Sequence, residues 1–364
     1  MKGHRNLNGE TLFAFALAAF CSLSCGPVDA KVEEPKKDGE IEKLSKEVAG
    51  KGWVLYACKS GKGDYDLFIC RPDGSDIRNV TNTHEFSEFG GRFSPDGKRM
   101  LYRQAKKGGD LSHYLWGAHG VLVMAGSDGS NPEPQGQEGE YPWAAWGPDG
   151  TKISCLYKDE GKIKIFELQT KKLLKEMPSK GVHEQLFWSA DGKKFCGTAN
   201  VAGQQWNIVS IDEETGGAII VTRALNCTPD WFQASSRIVY SNRTPGLAND
   251  YGWTMLMQAT SDGKSRALIY GERGKHIYFG CTSPDDKYVI FSYPGSDGGI
   301  NAPMAVVRLA DTPIISPSDY KQLKALYPNA KEGPVLRLSS PSAGFEPHWT
   351  YADPWGKDRR KAEK

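Results

Sequence analysis

Phe93-Ser94-Pro95-Asp96-Gly97-Lys98, followed by Met100-Leu101-Tyr102, is the stretch on which the fold turns. It reads as an aromatic, a tight turn and a β-rich run. Asp-Gly tolerates the positive φ that a tight hairpin requires. The phrase recurs along the chain. Trp146 opens Gly147-Pro148-Asp149-Gly150, and an apolar run over 153–157 follows. Trp188 opens Ser189-Ala190-Asp191-Gly192, with Phe195-Cys196 behind it. Trp231 opens a degenerate turn over 232–236, before Ile238-Val239-Tyr240. Thr282 takes the aromatic position before Ser283-Pro284-Asp285-Asp286, and the run at 288–291 follows. Trp349 opens a sixth copy, Thr350-Tyr351-Ala352-Asp353.

Subtracting the anchor numbers gives spacings of 53, 42, 43, 51 and 67 residues. Repeats of about 40–50 residues are the mark of a propeller, with one four-stranded sheet per repeat. A second turn series interleaves with the first. It reads Pro72-Asp73-Gly74, Ser127-Asp128-Gly129, Gln169-Thr170-Lys171, Glu214-Thr215-Gly216, Ser261-Asp262-Gly263 and Ala310-Asp311-Thr312. Each follows an apolar strand, which places it between the third and fourth strands of a blade. Six anchors and six second turns predict an all-β fold over 52–351: a six-bladed β-propeller of four-stranded antiparallel blades.

The chain ends fit that count. The copy at Trp53 begins with second-strand character, and Phe345-Glu346-Pro347-His348-Trp349 reads as a first strand without followers. Pairing this C-terminal strand with the N-terminal blade closes the ring and removes free sheet edges. Two insertions break the period, at 105–120 and 311–334. In the second, Ser318-Asp319-Tyr320 through Tyr327 reads as a short capped helix.

The chain of 364 residues is 25% charged and 39% hydrophobic, ordinary values for a folded soluble domain. A formal charge of +2 gives no general attraction to nucleic acid. Residues 1–30 read as a secretory signal, with Lys2 and Arg5 ahead of an uncharged apolar run at 12–23. Two processing routes stand open. Val28-Asp29-Ala30 suits cleavage before Lys31, and Ser22-Leu23-Ser24-Cys25-Gly26 resembles a lipobox in which Cys25 carries lipid. Residues 31–51 are expected to be a charged linker and 352–364 a charged tail. The expected location is the periplasm or cell envelope, with membrane contact only through that lipid.

Six cysteines remain beyond the signal: Cys58, Cys70, Cys155, Cys196, Cys227 and Cys281. Cys58 and Cys70 share one hairpin, but a loop centred near Lys62 sets Cys70 opposite Val54. The cysteines are therefore read as small buried hydrophobes, with a Cys58–Cys70 bridge as the other option.

The recurring Trp/Phe-Ser-Pro-Asp-Gly-Lys phrase and the Asp-Gly hairpins resemble the TolB-type repeat, a WD-like repeat, over about Trp53 to Trp349. True TolB carries a separate domain ahead of its propeller, and the segment before Trp53 is expected to be too short for one. Prolyl-oligopeptidase-type enzymes carry similar propellers beside a hydrolase domain, but the Gly-x-Ser-x-Gly elbow that domain needs is absent from the sequence. Oligogalacturonate lyases also use propellers, with metal-binding His and Gln near the centre. No residue-by-residue match to them is found here.

Propeller topology puts both Asp-Gly turn series on one face. The connections between blades, and between second and third strands, lie on the other. Functional residues favour variable loops on a rigid scaffold, so the long-loop face is the expected site. His84, His113, His119, His183 and His276 fall there, and His84-Glu85 and His183-Glu184 occupy equivalent connections. His348 sits beside Trp349 on a channel-lining strand. Trp116 and Trp253, with Tyr114, Tyr141, Tyr251, Arg103, Arg223, Arg243, Arg273, Asn242 and Asn249, add residue types common at binding hot spots. The expected ligand-binding set is Trp116, His119, Arg243, Trp253, His84, Glu85, His183, Glu184, His276 and His348. No cofactor and no catalytic residue is assigned. A divalent metal held by the histidines is the alternative. The expected function is a non-catalytic envelope module binding a protein or glycan; the alternative is a polysaccharide lyase or hydrolase at the histidine-bearing channel mouth.

Overall fold

The computed structural model describes residues 39–109, 119–243, 254–272, 274–293, 302–309, 314–315, 325, 327–338 and 344–356. They form six small sheets in a ring, a six-bladed β-propeller. Blade one takes Gly344–Thr350 as its inner strand, followed outward by Trp53–Lys59, Tyr65–Cys70 and Arg78–Asn79. The C-terminal strand therefore closes the ring, antiparallel, with Val54 opposite Trp349 and Leu55 opposite His348. Blades two to six open with Phe86–Phe93, Ala145–Trp146, Val182–Trp188, Asn226–Trp231 and Tyr278–Thr282.

The strand Trp53–Lys59 shows why the pattern is nearly continuous in apolar residues. All of its residues except Lys59 are buried. Side chains on a strand alternate between its two faces, and here both faces meet another blade. Trp53, Leu55 and Ala57 join the cluster shared with blade two. Val54, Tyr56 and Cys58 join the cluster shared with blade six. Each of the other seams has its own cluster: Leu101 with Ile153, Leu156 with Phe195, Ile208 with Tyr240, and Phe232 with Phe291. The core is thus a ring of six inter-blade layers rather than one central mass.

The Asp-Gly turns work as their chemistry implies. Ser94 Oγ donates to Asp96 Oδ1 at 2.6 Å and accepts from the Arg99 amide at 3.0 Å. Ser189 with Asp191 and Ser283 with Asp285 repeat the arrangement. Gly97, Gly150 and Gly192 hold φ near +70°, at 67°, 69° and 71°. Asp286 takes the same place in blade six at 54°. Successive turns touch around the ring, as a Cβ on Gly192 would meet Pro148 at 2.9 Å.

The hairpin register is as read: Cys70 pairs with Val54, and Cys58 with Asp66. All six described cysteines are free thiols, five of them buried. Burial pushes the thiols of Cys70, Cys155, Cys196 and Cys281 upward, so they behave as inert packing groups.

Three features depart from the simple repeat. Blade six takes its fourth strand from Leu336–Arg337, beyond the 311–334 insertion, so the chain does not return directly after the turn expected at 310–312. Within the insertion, Ile314–Ile315 and Lys331–Glu332 add two parallel strands to the outer edge of blade five. The turn at 310–312 and most of the helix expected from Ser318 to Tyr327 lie outside the described residues. Within 31–51, Gly39–Val48 is a helix with Leu44 and Val48 fully buried in the seam between blades one and six. Glu47 forks onto Arg308 at 2.7 and 3.0 Å, and this bidentate pairing holds the Glu47 carboxyl below its usual range. Beyond Trp349, Trp355 packs edge-on to Trp53 with ring centroids 4.6 Å apart. Among the described residues no helix is long and apolar enough to cross a membrane.

Trp349 is fully buried at the closure seam, and its indole N–H donates to the Lys51 carbonyl. Trp349→Ala is expected to lower unfolding free energy by about 3–5 kcal/mol, measured by urea titration. Trp206→Ala, at an exposed strand position, is the control and is expected to stay within about 0.5 kcal/mol.

Candidate functional site

Each inner strand carries the same irregularity. The residue three places before the anchor is left-handed in all six blades: Gly90, Trp143, Gln185, Thr228, Phe279 and Glu346, with φ between 48° and 63°. Strand pairing slips beside it, as between Phe89 and Arg92 and between Glu184 and Phe187. Such bulges re-aim side chains, and a bulky residue with positive φ is strained. In three blades a hydrogen bond to the preceding blade holds the left-handed residue. The Gly90 amide donates to Glu346 Oε2 at 2.8 Å, the Thr228 amide to Gln185 Oε1 at 3.1 Å, and the Phe279 amide to Thr228 Oγ1 at 3.3 Å. Each bond links a left-handed residue to its counterpart one blade earlier.

Of the residues just before the anchors, Arg92, Phe187, Asp230 and His348 line the channel spaces. Two of these carry opposite charge on blades two and five, half a ring apart. Arg92 Nη1 meets Asp230 Oδ2 at 2.6 Å, with both side chains 15% exposed. The Arg92 guanidinium also lies over the Phe187 ring at 4.2 Å. Burial alone would lower the Arg92 pKa, but Asp230 outweighs it and holds the charge. The ion pair spans the channel. His348 lies at the same level and accepts the Phe93 amide through Nδ1 at 3.1 Å. Burial, aided by Arg92, pushes His348 well below its usual pKa, so it is neutral. The anchors add stitches of their own. Trp146 Nε1 donates to the Arg92 carbonyl at 3.1 Å and Trp231 Nε1 to the Phe187 carbonyl at 3.0 Å.

On the turn side of this ion pair lies a cavity of about 380 Å³. Trp146, Trp188, Trp231 and Tyr351 line it with Pro95, Pro148 and Pro284, and Asp230, Gln233 and His348 supply polar groups. Gln233 is locked by bonds to Thr282 and Trp349, at 3.0 Å from the Trp349 carbonyl. The far side of the ion pair holds a smaller space of about 30 Å³, bounded by Gly90, Arg92, Arg103, Trp143, Phe187 and Glu346.

The sequence-predicted residues fall in different places. His348 faces the turn-side cavity. His84 and Glu85 are exposed at the opposite end of the blade-two inner strand, and His183 and Glu184 lie half-buried at the equivalent end in blade four. His276 is buried, bonded to Thr254 at 3.1 Å and stacked on Tyr278. Arg243 donates to the Tyr278 hydroxyl at 3.1 Å and lies 5.2 Å from the centroid of Trp206. His119 is half-buried near Gly139. Tyr141 packs edge-on to Phe166 within the seam of blades two and three. Cys25, His113, Tyr114, Trp116, Asn249, Tyr251, Trp253 and Arg273 lie outside the described residues. Among the described residues no group of three or more His, Cys, Asp or Glu could hold a metal ion.

Two carboxyls away from the channel mouth are perturbed. Burial raises Glu184 to about 7 and lowers the pKa of its neighbour His183. Burial also raises Glu88 to about 7, with Thr83 and Gln104 bonded to Oε1 and no protein partner on Oε2.

Sequence reasoning missed the turn-side cavity because its turns are short. The signal was present in the anchors, which end the inner strands and so must present their edges at that mouth. Trp206, exposed and at φ 57° on the opposite face, was also missed, and no local signal marks it.

No family model matches the chain, and no curated protein matches it. Solved structures do. TolB from Acinetobacter baumannii matches with a TM-score of 0.57 at 14% identity, over 82% of this chain and 67% of that one. The TolB-type protein of Agrobacterium tumefaciens gives 0.51 at 17% identity, over 82% and 94%. An oligogalacturonate lyase from Vibrio parahaemolyticus gives 0.43 at 10% identity, over 70% and 71%, too weak to bear on binding against catalysis. By fold the chain is a TolB-like six-bladed β-propeller, and at these identities the likeness is one of fold alone.

Two expectations follow. Asp230→Asn leaves Arg92 unpaired beneath the cavity and is expected to destabilise the protein by about 3 kcal/mol or more. The double change Arg92→Met with Asp230→Leu is expected to recover most of that loss, and urea unfolding of the three forms measures both. For Glu88 the folded pKa lies above the ordinary 4.5, so the fold favours the protonated acid. The resulting penalty is absent below pH 4.5 and complete above about 7. Stability is expected to decline across that window and Glu88→Gln to flatten the decline; an unchanged slope in urea midpoints against pH would show that Glu88 does not titrate there.

Proposed function

We propose that this chain is an exported, non-catalytic binding protein of the cell envelope that receives a polypeptide segment in the turn-side cavity. The observation that carries the reading is the cavity itself. Its volume of about 380 Å³ lies in the range of ligand sites. Its walls are set by blade packing and its floor by the Arg92–Asp230 ion pair, so it is preorganised and loses little freedom on binding. The lining favours a peptide over a sugar. Trp146 and Trp231 are 8% and 4% exposed, so their faces are committed between blades and only edges reach the cavity, with Tyr351, 40% exposed, as the open aromatic of the lining. A sugar ring stacks on an open aromatic face, whereas an apolar side chain fits between indole edges and proline rings. Export rests on Lys2, Arg5 and the apolar run at 12–23, with Cys25 as the residue that would carry lipid. The long-loop face, with His84, Glu85, His119 and Arg243, would serve as a secondary contact surface.

Ala190 is exposed at the cavity rim and makes a clean test. Ala190→Trp fills the mouth without touching the core. In crosslinked pull-downs from native envelope fractions, read by mass spectrometry, the partner recovered with wild type is expected to fall at least tenfold with Ala190→Trp. Lys172→Ala, at an exposed position outside the cavity lining, is expected to recover it fully. Equal recovery with Ala190→Trp would sink the cavity as the binding site.

A second reading has its own observation, the near-neutral Glu184 beside His183. A carboxyl titrating near 7 suits general acid–base work, as a polysaccharide lyase or hydrolase would need. Turnover of an envelope polysaccharide by the pure protein, lost in Glu184→Gln, would establish it in place of the first.

A further inference from the structure

The narrow waist of the channel, beyond the Arg92–Asp230 pair, is rich in hydrogen-bond donors that the protein does not use. Arg103 is 6% exposed, and its Nη1 finds no protein acceptor. Trp143, also 6% exposed, has an indole N–H in the same condition. The two are neighbours, with the guanidinium carbon 4.8 Å from the centroid of the Trp143 ring. Both bound the space of about 30 Å³. Gln185, one blade on and outside the lining of that space, carries another unused donor. Its Oε1 accepts from the Thr228 amide and from Thr198 Oγ1, which fixes the amide orientation and leaves Nε2 without a partner.

An unmet buried donor costs about 1–3 kcal/mol, so a fold that keeps two of them beside one space implies something that accepts there. Two of the acceptor oxygens nearby are already engaged or paired. Glu346 Oε2 takes the Gly90 amide, while its Oε1 stands 4.0 Å from Arg103 Nη2, an ion pair beyond hydrogen-bond distance. Asp230 takes Arg92. A ligand that brings its own donors would find Glu346 Oε1 as its one open acceptor here, whereas one that only accepts would match the two unused donors. The size narrows it further. About 30 Å³ holds one water or one monatomic ion and no tetrahedral oxyanion. The left-handed Gly90 keeps the wall thin, since a Cβ there would stand 3.0 Å from Arg103 Nη2.

We propose that the channel waist is a halide site, in which Arg103 Nη1 and the Trp143 indole N–H hold a chloride ion under the Arg92–Asp230 pair. The ion would tie blade two to blade three at the level where the left-handed residues offer no bond of their own, because Gly90 has no side chain to latch the Trp143 backbone. It requires neither the envelope location nor the binding function.

Bromide substitutes for chloride and scatters anomalously. Crystals of the full chain grown in sodium bromide are expected to show an anomalous peak between Arg103 and Trp143. Density there without anomalous signal identifies water and overturns the proposal. In solution, the thermal midpoint is expected to rise saturably with sodium chloride or bromide, against sodium sulfate at equal ionic strength. Trp143→Phe keeps the ring and removes one donor, so it is expected to weaken the halide dissociation constant from that titration at least tenfold. Arg103→Met is expected to abolish the halide-specific rise. A halide response unchanged in Trp143→Phe, or a sulfate response equal to that of chloride, would also overturn it.

Discussion

The antiparallel pairing of Gly344–Thr350 with Trp53–Lys59 is the constraint on which the rest of this molecule depends. Every blade needs a neighbour on both faces, because its strands are apolar on both sides. An open arc would leave two such faces in water, whereas a closed ring leaves none. Closure joins residues 298 apart in sequence, as Trp349 and Lys51 show. The entropy of bringing chain ends together grows only with the logarithm of the separation, so one such seam is affordable if it is well packed. The seam is packed accordingly: Trp349 and Tyr56 fill it, and the helix Gly39–Val48 covers it with Leu44 and Val48. The Glu47–Arg308 fork then ties that helix to blade six.

Closure also explains the channel. Six inner strands converging on one axis bring their backbones close together, and regular pleating would drive side chains into that crowded space. The repeated left-handed residue kinks each strand at the same depth and turns backbone amides toward the preceding blade. Where that blade offers Glu346, Gln185 or Thr228, the amide finds an acceptor. Glycine, tryptophan and phenylalanine at the other three positions offer none. The waist is therefore chemically uneven although the backbone is repetitive, and its unused donors gather beside blades two to four.

The ion pair across the axis has a related origin. Arg92 and Asp230 occupy equivalent positions on opposite blades, so the ring geometry alone brings them together. Phe187 screens one side, and the neutral His348 adds no competing charge. The pair divides the channel into a wide turn-side cavity with aromatic and proline walls and a narrow donor-lined waist. Rigid walls above a charged floor suit recognition of an inserted side chain. On the opposite face His84 and His183 stand on separate blades.

The amino-acid sequence by itself determined the blade count, the turns that follow the anchors, the hairpin register and the closure. Each of these is written in local chemistry. Ser-Pro-Asp-Gly builds its own turn, alternation along Trp53–Lys59 declares two buried faces, and the length of the loop near Lys62 sets Cys70 against Val54. Tertiary structure alone decided the contents of the channel. Nothing adjacent to Arg92 announces Asp230, because the two meet only when the ring closes. Nothing near Trp143 or Phe279 announces a left-handed backbone, since those residues adopt it only when neighbouring blades hold them there. The histidines illustrate the same limit: sequence could assign them to strand ends, but only the packed ring separates His348 in the turn-side cavity from His276, stacked on Tyr278 at the other end. Local propensity acts over a few residues, and this site is assembled from side chains half a ring apart.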